Sequence, residues 1–579
     1  MKKFKFCGQK TVLYLLLIVS ASFIAFSNSF NASFQFDDVH HIHQSRHIKD
    51  FESFKSFDFW FDFYNRSPAI FTLAINYRIG EYSVKGYHVF NFLIHISASI
   101  LIFFLTGKIL RSDAIKQDYI VNNRRYIQLF ASLIFAVHPI QTESVTHIVQ
   151  RMESMSAAFL FAALICYLKL RNSREIKRII VFSSCFVVFS VISILTKQAG
   201  YSVPLAVLVL ELCFVRNEKG EMNKTLVSVI FFGLLFAGLA GIAGDLLPRE
   251  HWGKAIARSE YLFTQATVIP RYVMLLIIPS FQNIDHDILL RNSFFDPAVI
   301  GGSAFVVSLL FFGLYLFRKG HIIFSFAIFW FFAMIFLRSS ILPIGDFMAE
   351  RRLYAATLSV GLAMPAFLFW AGSKVIYLSK RRLVIPVTLI FITAIYSISC
   401  INRNKVWKNE LTLWTDSVSK SPGKFRPNYN AGEAYMKHGF PEKALHYYYR
   451  AYSINPLSFG VTNNIGSVYA RLKNDIKAEE FFKKAIETNP QYANAMNNLA
   501  NLYLRNGRTV EAEELYLKVI EIDKDFVAAY QNLGTLYLIE GSYEKAGMCY
   551  SRVLELDPEN HRAAERLRMI ESMEKDNAR

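Results

Sequence analysis

Charge is what this chain has least of for its size. Of 579 residues only 19% are Asp, Glu, Lys or Arg, against about 25% in ordinary soluble domains. That shortage argues against a water-soluble globular protein of this length. Cysteine is scarce too: Cys7, Cys166, Cys185, Cys213, Cys400 and Cys549 are scattered and form no CxxC pair. A disulfide framework is thereby excluded, and the redox compartment stays open. No clear small-residue cleavage motif follows the first apolar run, which reads as a retained signal anchor, with a cleaved signal peptide as the alternative. The apolar half shows no internal repeat of the kind many transporters carry.

Long apolar runs are what it has instead. Hydrophobic residues make up 53% of the chain and Phe alone contributes 53 residues. A helix needs about 20 apolar residues to span a bilayer. Candidate spans lie at roughly 11–29, 88–110, 127–144, 153–170, 178–196, 200–215, 225–245, 298–317, 321–338, 353–375 and 383–401. A further run, 262–280, is interrupted by Pro270, Arg271 and Pro279. The net charge of +18 comes largely from Lys and Arg in short loops between these runs. It is read as topology-setting charge, not as a nucleic-acid surface.

Lys2, Lys3, Lys5 and Lys10, the basic loops 108–125 and 169–178, and Lys380–Arg382 then mark the cytoplasmic side. Eleven spans satisfy all of these together, with 262–280 re-entrant or interfacial. The stretches 30–86, 145–152, 246–297 and 339–352, and everything after 402, fall outside the cytoplasm. Lack of any eukaryote-specific signal favours a bacterial inner membrane.

After residue 402 the composition turns polar and a period of 34 appears. Asn430, Asn464, Asn498 and Asn532 stand in register; so do Gly432, Gly466, Ala500 and Gly534, and Tyr435, Tyr469, Tyr503 and Tyr537. Ala444, Ala478, Ala512 and Ala546 repeat likewise. This is the tetratricopeptide pattern: small residues where paired helices touch, aromatics between them. The expected fold is all-α, a polytopic helical bundle over 1–402 followed by a C-terminal α-solenoid. A connecting half-repeat at 403–424 holds Trp407 and Trp414. Four repeats fill 425–560, and 561–579 caps them. The four repeated Asn residues are either peptide-groove ligands or internal helix-orienting groups.

Chemistry concentrates in the short external turns. Asp37 and Asp38 follow the first span, and a carboxylate there can take a proton from an acceptor hydroxyl. Adjacent carboxylates beside a membrane are costly unless solvated, paired or functional. His40, His41, His43 and His47 crowd the same loop. A divalent metal held by Asp37, Asp38 and His41 is conceivable, although the spacing fits no standard zinc motif. A second turn holds His138, Glu143, Arg151 and Glu153; Lys197 starts a third; Glu350 and Arg351 form a fourth. Their Lys and Arg can hold a phosphate by charge-assisted hydrogen bonds, or simply snorkel to the interface. Asp285 and Asp287 sit in a further external stretch.

An acidic pair after the first span, the HPIQTESV…QRMES turn, the TKQAG turn, the AERRLY motif and the terminal repeats occur here in one order. That combination resembles the transmembrane-and-tetratricopeptide (TMTC) O-mannosyltransferases and their bacterial relatives, of the GT-C class of polyprenol-dependent glycosyltransferases. The resemblance covers nearly the whole chain. It implies transfer of a mannose-like sugar from a polyprenyl-phosphate donor to an extracytoplasmic Ser or Thr hydroxyl. Asp37 and Asp38 would supply the general base and its positioning partner. Arg151, Lys197 and Arg351 would take the lipid phosphate, and the repeats would recruit a polypeptide acceptor. Family members often continue the acidic pair with Asn and Asp; here Ser45 and His47 stand near those places, which leaves acceptor and metal dependence open. Two other readings compete: a non-enzymatic membrane-anchored scaffold, and a ligase or polymerase of lipid-linked glycans.

Overall fold

The computed structural model describes residues 2–61, 66–215, 256–339, 345–375 and 378–577. The chain forms two compact units, Met1–Asp416 and Ser417–Arg579. Every regular element described is helical.

Among the described residues of the first unit seven helices are long and apolar enough to cross a membrane: Gln9–Phe26, Val84–Ile109, Ile148–Arg171, Ile176–Thr196, Pro297–Arg318, Ala355–Val375 and Leu383–Val406. Two shorter apolar helices, Gln198–Cys213 and Ile322–Arg338, match the runs at 200–215 and 321–338. The run at 225–245 lies outside the described residues. The run at 127–144 is not one helix. Helix Arg124–Val137 stops at His138, whose side chain accepts a hydrogen bond from the Ile140 amide, and Pro139 opens a separate turn. Proline lacks the amide that a continuing helix needs, and the residue before it is pushed out of the helical region.

The segment at 262–280 becomes a single helix, Arg258–Ile277, with Pro270 inside it. The chain after it doubles back: the Arg291 amide donates to Thr264 Oγ1 at 3.0 Å. Asp287 and Arg291 line one cleft with Arg271. This helix crosses Pro297–Arg318 closely enough that a Cβ on Gly302 would lie 2.2 Å from the Ala266 carbonyl oxygen. Small residues at such crossings let backbones approach where lipid offers no hydrophobic drive.

The first unit extends to Asp416, beyond the boundary expected at 402. Trp407 and Trp414, in the stretch expected to be a connecting half-repeat, pack against the turns of the first unit. Trp407 stacks on His147 with ring centres 5.3 Å apart, and Trp414 meets Phe36 edge-on at 5.5 Å.

In the second unit four helix pairs follow one another: Phe425–Lys437 with Pro441–Ile454, Phe459–Arg471 with Asp475–Thr488, Ala493–Arg505 with Thr509–Ile522, and Val527–Ile539 with Tyr543–Leu556. Helix His561–Asn577 comes last. Ala444, Ala478, Ala512 and Ala546 are all fully buried. The turn inside each pair needs a left-handed residue. Gly439, Gly507 and Gly541 take φ of +81°, +77° and +74°, but the second repeat has Lys473 at +59°. A Cβ in that region costs about 1 kcal/mol. Lys473→Gly is therefore expected to stabilise the solenoid by about 0.5–1 kcal/mol, read as a higher midpoint in thermal unfolding.

Candidate active site

Four turns meet at one end of the bundle. The first follows helix Gln9–Phe26, where Phe36 adopts a left-handed φ of +49°. Non-glycine residues hold that conformation only where their surroundings fix it, and Trp414 packs against the Phe36 ring. The turn separates its two carboxylates. Asp38 is buried, with Oδ1 accepting from the Val149 amide at 2.8 Å and Oδ2 from the Gln35 amide at 3.0 Å. His147 Nε2 lies 3.5 Å from the same Oδ1. Burial raises the Asp38 pKa; His147 and the two amides oppose that without cancelling it. Asp38 thus ties the first loop to the 147–149 turn. Asp37 is half-exposed. It shares its surroundings with His41, whose imidazole is pushed down to about 4 by burial first and Arg66 second, against the pull of Asp37. Lys197 also acts on His41.

Charges are expensive at this depth unless paired, and here they are paired in sequence-distant sets. Glu153 accepts from Arg338 Nη1 at 2.6 Å and lies 3.8 Å from Lys197 Nζ. Glu143 takes the Arg351 amide at 2.8 Å and its Nη1 at 2.7 Å, while Arg351 Nη2 reaches Asp346 at 2.9 Å. Glu143 and Asp346 hold the Arg351 guanidinium firmly protonated despite its burial. Burial, and then Arg66, bring the Lys197 ammonium down to about 7. Lys197 is the cation of this group with the loosest carboxylate contact: 3.8 Å, against 2.6–2.9 Å for the two arginines.

Three expected site residues are bonded to backbone groups and neighbouring side chains. Arg151 is fully buried and makes its hydrogen bonds to neutral groups, donating to Asn76 Oδ1 at 2.6 Å and to the Tyr87 carbonyl at 3.2 Å. Glu350 is buried and accepts from the Asn283 amide, Gln282 Nε2 and His286 Nε2. It thereby fastens the 282–286 stretch to the fourth turn. His138 Nε2 donates to the Leu276 carbonyl at 3.0 Å. Asp285 is buried in that stretch, whereas Asp287 is exposed. Among the described residues no three His, Cys, Asp or Glu side chains group so as to hold a metal ion; in particular Asp38 is turned from Asp37 and His41 toward His147.

In the second unit the repeated Asn side chains reach back one repeat. Asn464 Nδ2 donates to Tyr429 OH at 3.1 Å, Asn498 to Asn463 at 2.9 Å, and Asn532 to Asn497 at 3.0 Å. Asn430 has no preceding repeat and makes no such bond. The ladder locks successive repeats while leaving Asn464, Asn498 and Asn532 half-exposed.

Arg338, Asp346 and Arg66 were missed from sequence. Arg338 ends an apolar run and looks like a snorkelling terminus, and the other two stand in loops with no motif.

Tetratricopeptide-repeat family models match residues 458–525 and 527–560. A protein O-mannosyl-transferase of Caenorhabditis elegans is 26% identical over 76% of this chain and 63% of its own length. The protein O-mannosyl-transferase TMTC3 of Mus musculus is 27% identical over 77% of this chain and 51% of its own. TMTC4 of Homo sapiens is 26% identical over 75% and 65%. The chain thus spans about half to two-thirds of the length of these curated relatives. Among solved structures, a crystal structure of MamA is 24% identical, covering 26% of this chain and 89% of that one, with a TM-score of 0.24. Over about three-quarters of its length the chain is similar to the TMTC-type protein O-mannosyl-transferases, and within that likeness its C-terminal unit is similar to tetratricopeptide repeats.

Proposed function

We propose that this chain is a membrane glycosyltransferase that moves a mannose-like sugar from a polyprenyl-phosphate donor to a Ser or Thr hydroxyl of an extracytoplasmic protein. The observation that carries this reading is the division of labour at one end of the bundle. One carboxylate, Asp37, is accessible, while its neighbour Asp38 is consumed by backbone amides. Lys197 and Arg351 stand among buried carboxylates beside them.

In the proposed reaction Asp37 accepts the proton of the acceptor hydroxyl. The oxygen attacks the anomeric carbon, the bond from that carbon to the phosphate oxygen breaks, and the lipid phosphate leaves as an anion. A weak nucleophile needs the base, and the anionic leaving group needs positive charge already in place. Lys197 and Arg351 supply that charge. Arg338 holds Glu153 beside Lys197, and Arg151 fixes the wall. The repeats recruit the polypeptide acceptor.

The donor class is tested by offering the reconstituted full chain radiolabelled polyprenyl-phosphate mannose or a nucleotide mannose. Transfer is expected from the lipid donor alone; transfer from the nucleotide donor alone would overturn the reading. Lys197 gives this test a pH signature. Its ammonium is charged below about pH 7, so the donor KM is expected to be lowest there. It should rise up to about tenfold per pH unit above that point. In Lys197→Gln the KM should be high throughout and lose this dependence.

A further inference from the structure

We propose that the end of the bundle opposite Asp37 holds the headgroup of an anionic phospholipid between Lys108, Arg111 and Lys169. Helix Val84–Ile109 starts beside the site, where Arg151 bonds the Tyr87 carbonyl. Its 26 residues at about 1.5 Å per residue carry it about 39 Å away. Lys108 lies in its last turn, and Arg111 follows just after. Lys169 lies in the last turn of helix Arg151–Arg171. Both helices start at the site, so Lys108 and Lys169 end them at the same face of the bundle.

Neighbouring basic groups at this end have found acids. Arg171 bonds buried Glu211 at 2.7 Å, and Arg178 bonds Glu175 at 2.9 Å. Among the described residues, Lys108, Arg111 and Lys169 make no ion pair and no side-chain hydrogen bond, although Asp113 is close in sequence and exposed. Basic residues in a last helical turn suit the helix dipole. That does not account for three cations at neighbouring helix ends with no acid bonded to any of them. An anion resolves the repulsion.

The surface below the cations selects a lipid over a free ion. Lys169 Nζ sits 5.2 Å above the Phe182 ring. Phe104, one turn before Lys108, is exposed, as are Ile180 and Val181 on the adjacent helix. A phosphate diester at the cationic rim would lay its acyl chains along this apolar wall. Basic pockets between membrane helices hold anionic headgroups in this way.

The test uses the purified full chain in phosphatidylcholine, with and without phosphatidylglycerol, and counts retained lipid by native mass spectrometry. Wild type is expected to retain phosphatidylglycerol in preference to phosphatidylcholine and to unfold at a higher temperature with it. Each charge near the membrane surface is worth about a factor of five in affinity. Lys108→Gln/Lys169→Gln should therefore retain phosphatidylglycerol about thirtyfold less well, while Lys177→Gln behaves as wild type. If the double variant fails to fold, the exposed Arg111→Gln serves instead, with an expected loss of about fivefold. Three results would overturn the proposal: undiminished phosphatidylglycerol retention by the folded variants, equal retention of phosphatidylcholine by wild type, or equal stabilisation by inorganic phosphate alone.

Discussion

Asp37→Asn is expected to lower the rate of sugar transfer by about 10²–10⁴-fold, the contribution of a general base, and to leave thermal stability within about 0.5 kcal/mol of wild type. Asn keeps the shape of the side chain and removes its capacity to take a proton. Asp37 is half-exposed, so little of the fold depends on it. Asp38→Asn should behave in the opposite way. Both Asp38 oxygens accept backbone amides, and an Asn would set an NH₂ group against one of those donors. A buried donor left unsatisfied costs about 1–3 kcal/mol. Asp38→Asn should therefore unfold at a lower temperature and lose transfer partly through displacement of the first loop. Comparable losses of rate from both variants with unchanged stability would show that the two carboxylates share the proton chemistry.

The second large effect is expected at Glu153. This carboxylate is buried between Arg338 and Lys197. Breaking a buried pair from one side leaves charge uncompensated and typically costs about 3–5 kcal/mol. Glu153→Gln should thus destabilise the first unit by that amount, visible as a large fall in the unfolding midpoint in detergent. Adding Arg338→Gln should restore part of the loss, because the orphaned guanidinium is then gone. A Glu153→Gln protein as stable as wild type would mean that water or another group screens this pair.

These contrasts mark where sequence reading stopped. The 34-residue period was legible because each repeat places a small residue, Gly or Ala, where its helices touch; at Gly432 a Cβ would meet Tyr448 at 2.6 Å. The apolar runs were legible because length and hydropathy are local. Where the run at 127–144 would break was less so, although Pro139 was visible. The chemical turns could be found as polar residues between apolar runs, but their orientation depends on contacts far along the chain. Arg151 is drawn inward by Asn76 and Tyr87, and nothing within the QRMES motif announces that. Asp37 and Asp38 are equivalent as letters; Phe36, His147 and Trp414 make them different. The partners of Glu350, namely Gln282, Asn283 and His286, could not be read from the AERRLY motif, because they stand in a stretch without a repeating pattern.

The most direct measurement reconstitutes wild type and Asp37→Asn in nanodiscs with polyprenyl-phosphate mannose labelled in the sugar and an extracytoplasmic protein rich in Ser and Thr. Wild type should move label to protein in a linkage released by β-elimination, and Asp37→Asn, equally folded, should not. Equal transfer by the two proteins, or no transfer by folded wild type from any lipid-linked sugar, would contradict the assignment.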